Sequence, residues 1–84
     1  MDDLKPKEML VLAVLVANGD YLRLRDFAVY GLFGMHGIRL QFVLARLIGM
    51  GCVAEGIDSF LTPEAIYKVT PYGALLHANR VLAS

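Results

Sequence analysis

Two stretches of sequence decide the fold of this chain, because each of them joins a helix to a strand. The first is Leu44-Ala45-Arg46-Leu47-Ile48-Gly49-Met50-Gly51-Cys52-Val53, and the second is Ile66-Tyr67-Lys68-Val69-Thr70-Pro71-Tyr72-Gly73. The first stretch predicts an amphipathic helix that ends at Gly51 and turns into a strand. The second predicts a strand that leads directly into a helix, with Thr70 as its cap and Pro71 in its first turn.

Upstream of these stretches, the sequence predicts two helices and a short strand. The first helix covers about residues 6–17 and stops at the left-handed turn of Asn18-Gly19. A short edge strand over residues 21–23 then precedes a second helix over residues 24–30. Three glycines between residues 31 and 37 predict the next turn, because each disfavours a helix by about 1 kcal/mol relative to alanine.

A third helix is predicted over residues 38–50, from the spacing of its apolar positions. Five apolar residues recur at intervals of three and four and form one core-facing stripe: Leu40, Val43, Leu44, Leu47 and Ile48. The opposite face carries Arg39, Gln41, Phe42, Ala45 and Arg46. The third helix therefore has a core side and an outward side of mixed polarity.

A β-hairpin with a long tip follows. Its first strand begins with residues 52–55, and its second strand covers residues 66–70. The connection between them holds Gly56, Asp58 and Thr62-Pro63. The last helix then presents an apolar side made of Leu75, Leu76, Val81 and Leu82.

Size and composition bound the class of protein. The chain has 84 residues, which fits one domain over residues 1–84, and 57% of them are apolar while 19% are charged. Some apolar surface is therefore expected to stay exposed or to meet a partner. Eight Lys and Arg balance eight Asp and Glu, so the net charge neither indicates nor excludes a nucleic-acid partner.

Several classes of site are not expected. The longest apolar run, over residues 9–17, is far shorter than the roughly 20 residues of a membrane span, and two acids precede it, so a cytoplasmic protein is expected. The lone Cys52 is read as a small buried hydrophobe, and His36 and His77 as ordinary isolated histidines. With no catalytic grouping, the sequence predicts no enzyme, no cofactor and no metal site.

The motifs Leu47-x-x-x-Gly51-x-Val53 and Tyr67-x-Val69-Thr70-Pro71-x-Gly73, in this order, carry a resemblance to a known family. The chain resembles the winged helix-turn-helix of small bacterial transcription regulators, notably the multiple-antibiotic-resistance-repressor and phenolic-acid-decarboxylase-regulator types. This resemblance covers nearly the whole chain. It implies an α+β, mainly helical winged helix, with a three-helix core, a two- or three-stranded wing and a C-terminal helix.

The resemblance also implies a site, because in that family the third helix lies in the DNA major groove. The outward residues carried over to that role are Ile38, Arg39, Gln41, Phe42, Ala45 and Arg46. Arg39 suits a guanine edge and Gln41 an adenine edge, whereas Arg46 suits a phosphate. For Phe42, packing against the hairpin or the second helix is the favoured interpretation.

Three further cations complete the predicted DNA contacts. Arg23 and Arg25 flank the start of the second helix, where side chains commonly approach the DNA backbone. Lys68 is the single cation on the two wing strands. The wing otherwise brings acids, namely Glu55, Asp58 and Glu64, which departs from the basic wing of related DNA-binding proteins.

The function implied is a DNA-binding repressor that forms a homodimer through its first and last helices. The alternative for these helices is that they simply fill one compact core. The alternative for the function is protein recognition, as in a small phage or mobile-element protein that inhibits a host complex. The neutral net charge, the acidic wing and, if they are exposed, Phe42, Phe33 and Phe60 favour that alternative. A continuous basic stripe over the third helix of the folded protein would favour DNA, whereas a mixed or acidic face with apolar patches would favour a protein partner.

Overall fold

The computed structural model describes residues 4–30, 37–57 and 63–83. Its helices are α1 (Pro6–Asn18), a 3-10 helix (Leu24–Tyr30), α2 (Gly37–Gly49) and α3 (Pro71–Ala83), and its strands are β1 (Leu22–Arg23), β2 (Val53–Ile57) and β3 (Ala65–Val69). The strands form one antiparallel sheet in the order β1-β3-β2. This is the order of elements that the sequence predicts, and α2 corresponds to the predicted third helix.

The second helix has the predicted extent. It is a 3-10 helix, the form typical of short connectors, and the Asp26 carboxylate accepts a hydrogen bond of 3.0 Å from the Arg23 N–H at its start. One detail of the prediction was wrong. Gly56 lies in β2 and not in the connection, because it pairs with Ile66 of β3. The predicted turn over residues 31–36 and Asp58 lie outside the described residues.

The core lies between α1, α2 and the sheet. From α1 it receives Val11, Leu12 and Leu15, and from α2 it receives Leu40, Leu44 and Leu47, with Phe27, Cys52, Val53 and Tyr67 also buried. The predicted apolar stripe of α2 and the burial of Cys52 are therefore confirmed. Although α1 is apolar on every side, its residue Leu10 is 49% exposed, so this chain covers one face of the helix and leaves another open.

The two stretches quoted first meet each other in the structure. Gly51 ends α2 with φ of +80°, a conformation that favours glycine. The Thr70 hydroxyl donates a hydrogen bond of 2.6 Å to the Gly51 carbonyl and accepts one of 3.0 Å from the Gly73 N–H. The Thr70 N–H donates to the Cys52 carbonyl at 3.0 Å. One threonine thus caps α3 and joins it to the end of α2.

The apolar side of α3 is divided between core and surface. Leu76 packs against the core, whereas Leu75, Val81 and Leu82 are exposed, Leu82 to 83%. The alternative in which the first and last helices fill one core is therefore wrong for most of this stripe. The reason is geometric, because α3 meets α1 along one side, and within residues 4–30, 37–57 and 63–83 no other helix or strand packs extensively against α3.

Two kinds of feature were not found in the described ranges. Within residues 4–30, 37–57 and 63–83, no helix has the length and hydropathy needed to cross a bilayer. The same ranges hold no cluster of three His, Cys, Asp or Glu side chains suited to a metal ion.

Candidate nucleic-acid interface

The candidate interface is built on α2, which the core holds on one side and leaves open on the other. Leu44 and Leu47 are fully buried and fix the rotation of the helix about its axis. Five residues on the opposite face are exposed, and they are the ones predicted: Arg39, Gln41, Phe42, Ala45 and Arg46. The side chain of Ile38 lies outside the described part of the chain. A helix anchored in this way presents its outward side chains in one fixed arrangement.

Phe42 lies at the centre of this face, and its side chain is 71% exposed. The favoured interpretation, in which Phe42 packs against the hairpin or the second helix, was therefore wrong. The apolar stripe that includes Leu40 and Leu44 already fills the core, and Phe42 lies on the opposite side of the helix. A large apolar side chain is thus displayed among the polar ones.

Arg46 is tied to α1 by an ion pair. Its Nε contacts Oε2 of Glu8, whose side chain is buried while that of Arg46 stays half exposed. The other carboxylate oxygen of Glu8 accepts a hydrogen bond of 2.9 Å from the Lys5 N–H at the start of α1. Arg46 therefore compensates a buried charge, and this fixes the direction in which its guanidinium points.

Arg23 and Arg25 share one acid of the wing. The Arg23 Nε lies 3.2 Å from Oε1 of Glu64, and an Nη atom of Arg25 lies 3.4 Å from the same oxygen. Both pairs are partly exposed to solvent, so each contributes little to stability. Their main consequence is electrostatic, since one carboxylate offsets part of the positive charge of two arginines.

Lys68 lies apart from the outward face of α2. Because neighbouring residues of a strand point to opposite faces of the sheet, Lys68 lies on the face opposite the buried Tyr67. Its ammonium lies 5.3 Å from the centre of the Tyr21 ring, within the range of a cation–π interaction. The structure thus groups Lys68 with the outer face of the sheet and not with α2.

A surface cleft of about 510 Å³ separates α2 from the wing, and Glu55 is the charged residue among the described ones that line this acidic cleft. Gln41 and Ala45 line it from the helix, and Glu55 and Tyr67 line it from the paired strands β2 and β3. Burial raises the pKa of the Tyr67 phenol above its ordinary value, and the charge and hydrogen bond of Glu55 raise this pKa further by a smaller amount. The carboxylate of Glu55 disfavours a phosphate in this cleft.

Sequence reasoning missed the ion pairs that hold the arginines of the site. Glu8 could have been noticed, because a glutamate in the first turn of a helix often bonds back to the N–H at the helix start. Its contact with Arg46 has no signal in the sequence, since 38 positions separate the two residues. Glu64 was seen as an acid of the wing, but not as the partner of Arg23 and Arg25.

The distribution of cations on the folded surface is mixed. Arg39 is exposed and forms no ion pair with any residue in the described ranges, whereas Arg46, Arg23 and Arg25 each face a carboxylate. The outward face of α2 therefore carries two arginines around Phe42, and the acidic cleft borders it on the wing side.

Comparison with known proteins identifies the fold. No protein-family model matches the chain, and no curated protein matches it in sequence. Among solved structures, the chain is similar to NadR, which was crystallised in complex with 4-hydroxyphenylacetate; the sequences are 22% identical and the TM-score is 0.76. The match covers 90% of this chain and 52% of NadR, so the chain spans about half the length of that protein. The predicted fold is thereby confirmed: the chain is a winged helix whose wing is formed by β2 and β3.

Proposed function

We propose that this protein is a DNA-binding transcription regulator whose α2 helix enters the major groove. The observation that carries the proposal is the division of α2 into a fully buried stripe and an exposed face with Arg39 and Gln41. A recognition helix needs both features, because its side chains must meet base edges from a fixed position. The structural likeness to NadR supports the winged-helix fold that this proposal requires.

The contacts divide by the chemistry of the side chains. Arg39 is suited to the two acceptors of a guanine edge, and Gln41 to the donor and acceptor of an adenine edge. Arg46 is the candidate for a phosphate contact, and Glu8 holds its guanidinium at the border of the outward face. Arg23 and Arg25 are candidates for phosphate contacts outside α2, and such a contact competes with their ion pairs to Glu64.

The protein is further proposed to act as a homodimer. The surface of α3 displays Tyr72, Leu75, Val81 and Leu82, and α1 displays Leu10, all at least 45% exposed. Tyr72, Leu75 and Leu82 recur at intervals of three and seven residues and so lie along one side of the helix. A second copy related by a two-fold axis would cover this side and present two copies of α2 to half-sites one turn of DNA apart.

Oligomeric state is tested with a double substitution on α3. Leu75→Glu together with Leu82→Glu is expected to convert a dimer into a monomer, because it places charges on both copies of the apolar surface. Light scattering after size-exclusion chromatography measures the mass, and far-UV circular dichroism verifies that the variant remains helical. A wild-type protein that is monomeric at micromolar concentration argues against the dimer.

The simplest way for this regulator to act is as a repressor, which blocks transcription by occupying an operator.

Binding to DNA is tested by fluorescence anisotropy with a mixed-sequence duplex, from about 50 mM to 200 mM salt. Weak binding that falls steeply with salt is expected, because phosphate contacts release counterions. Arg39→Gln is expected to weaken binding, whereas Arg80→Gln makes the same charge change on α3 and serves as the control. Equal affinities for the two variants would contradict the assignment of Arg39.

Protein recognition is the second candidate function, and a specific observation favours it. Phe42 and Ile57 are both more than 70% exposed, and the acidic cleft with Glu55 lies between α2 and the wing that carry them. Such a mixed surface suits a partner with its own apolar and basic groups. Absence of any binding to DNA at about 50 mM salt, where nonspecific affinity is strongest, would favour this second function.

A further inference from the structure

Phe42 is the most exposed aromatic side chain among those whose burial the structure describes, and it lies where the proposed function puts base edges. Its neighbours along the helix are Arg39, three positions before it, and Arg46, four positions after it. Residues at these intervals are adjacent on the surface of a helix. An apolar ring thus lies between two cations, in the middle of the outward face of α2.

The spacing of the three residues matches the spacing of base pairs. A helix rises 1.5 Å per residue, so the backbone position of Phe42 lies about 4.5 Å beyond that of Arg39 along the axis. Successive base pairs are about 3.4 Å apart. With Arg39 at the edge of one base, the Phe42 ring therefore reaches an edge one or two base pairs away.

Only one base edge in the major groove offers a methyl group. Guanine, adenine and cytosine present hydrogen-bond donors and acceptors there, and burial of the Phe42 ring against them would leave those groups unpaired. Thymine presents its C5-methyl group, which gains by contact with an apolar side chain. We infer that Phe42 recognises a thymine methyl group within one or two base pairs of the base that Arg39 contacts. This inference rests on the proposed function.

The test removes the methyl group and nothing else from the DNA. Duplexes are first selected from a random library with the wild-type protein, and the preferred sequence is then made with every thymine replaced by deoxyuridine, which pairs identically. Anisotropy gives the affinity for both duplexes. The wild-type protein is expected to bind the uracil duplex about fourfold more weakly per half-site, the equivalent of one buried methyl group.

Two variants attribute the effect to Phe42. Phe42→Ala is expected to bind the thymine duplex more weakly than the wild type and to discriminate no longer between thymine and uracil. Ile57→Ala is the matched control, because Ile57 is equally exposed, at 73%, but lies on β2. Its ratio of thymine to uracil affinity is expected to equal that of the wild type. Both substitutions lie on the surface, so both variants are expected to fold, which circular dichroism verifies.

The outcomes separate this inference from the proposed function. Binding of the wild type without preference for thymine would overturn the role of Phe42 and leave a DNA-binding protein. A preference that persists in Phe42→Ala would overturn it as well, since DNA shape or another residue would then sense the methyl group. Absence of binding to any member of the library would overturn the proposed function, and the inference with it.

Discussion

Replacement of Gly73 by alanine tests how α3 is joined to the rest of the fold. Gly73 is buried in the first turn of α3, and a Cβ atom there would collide with the Cys52 carbonyl oxygen and lie only 2.9 Å and 3.0 Å from the Cys52 carbonyl carbon and Cα. These are backbone atoms of a fully buried residue, which the hydrogen bond from the Thr70 N–H holds in place. The alanine therefore forces α3 and the end of α2 apart.

The magnitude follows from three costs and one gain. Overpacking of a tight contact costs about 1–3 kcal/mol, and loss of the bond from Thr70 to Cys52 costs about 1 kcal/mol. Weakening of the Thr70 cap costs about 1 kcal/mol more, while the better helix propensity of alanine stabilises the folded protein by about 1 kcal/mol. We expect Gly73→Ala to lower the free energy of unfolding by about 3 kcal/mol, which lowers Tm by roughly 12–24 °C.

Gly49→Ala is the matched control, because it is the same substitution in another helix. Gly49 is exposed in the last turn of α2, and beyond its chain neighbours and the backbone of its own helix a Cβ atom there would meet nothing within 4 Å. We expect this variant to gain up to about 1 kcal/mol through helix propensity. Urea denaturation and thermal melts at one fixed protein concentration measure both variants. A Gly73→Ala protein within about 0.5 kcal/mol of the wild type would refute the reasoning.

Three further predictions concern charged and titratable groups. Glu64→Gln is expected to strengthen DNA binding and to steepen its salt dependence by up to about two units of slope, because two arginines become available to phosphates; an unchanged slope would contradict this. Arg46→Ala is expected to destabilise the fold by about 2 kcal/mol, more than Glu8→Gln in urea denaturation, since it leaves a buried carboxylate without its counter-charge. The pKa of Tyr67 is raised by burial and by Glu55, so the folded protein keeps a proton that the unfolded chain loses above pH about 10, and the free energy of unfolding falls as pH rises beyond that value. Tyr67→Phe is expected to reduce this alkaline loss in denaturation series between pH 8 and pH 11.

The sequence by itself determined the order and the approximate bounds of the elements. Gly19 and Gly51 end helices with positive φ, and Thr70 with Pro71 starts one, because these preferences arise within a few residues of backbone. The spacing of three and four in α2 equally determined which of its faces is buried, since a helix repeats every 3.6 residues. Both kinds of signal are local, so neither needed the rest of the fold.

Only the tertiary structure decided which side chains of the candidate site meet each other. The pair of Glu8 and Arg46, and the shared contact of Glu64 with Arg23 and Arg25, join residues that are distant in the chain and have no common motif. The exposure of Phe42 depends on what the wing and the 3-10 helix leave uncovered. The spacing of apolar residues within α2 carries no information about the positions of those other elements. Contacts between elements depend on how those elements are oriented in space, whereas propensity and capping act only along the chain.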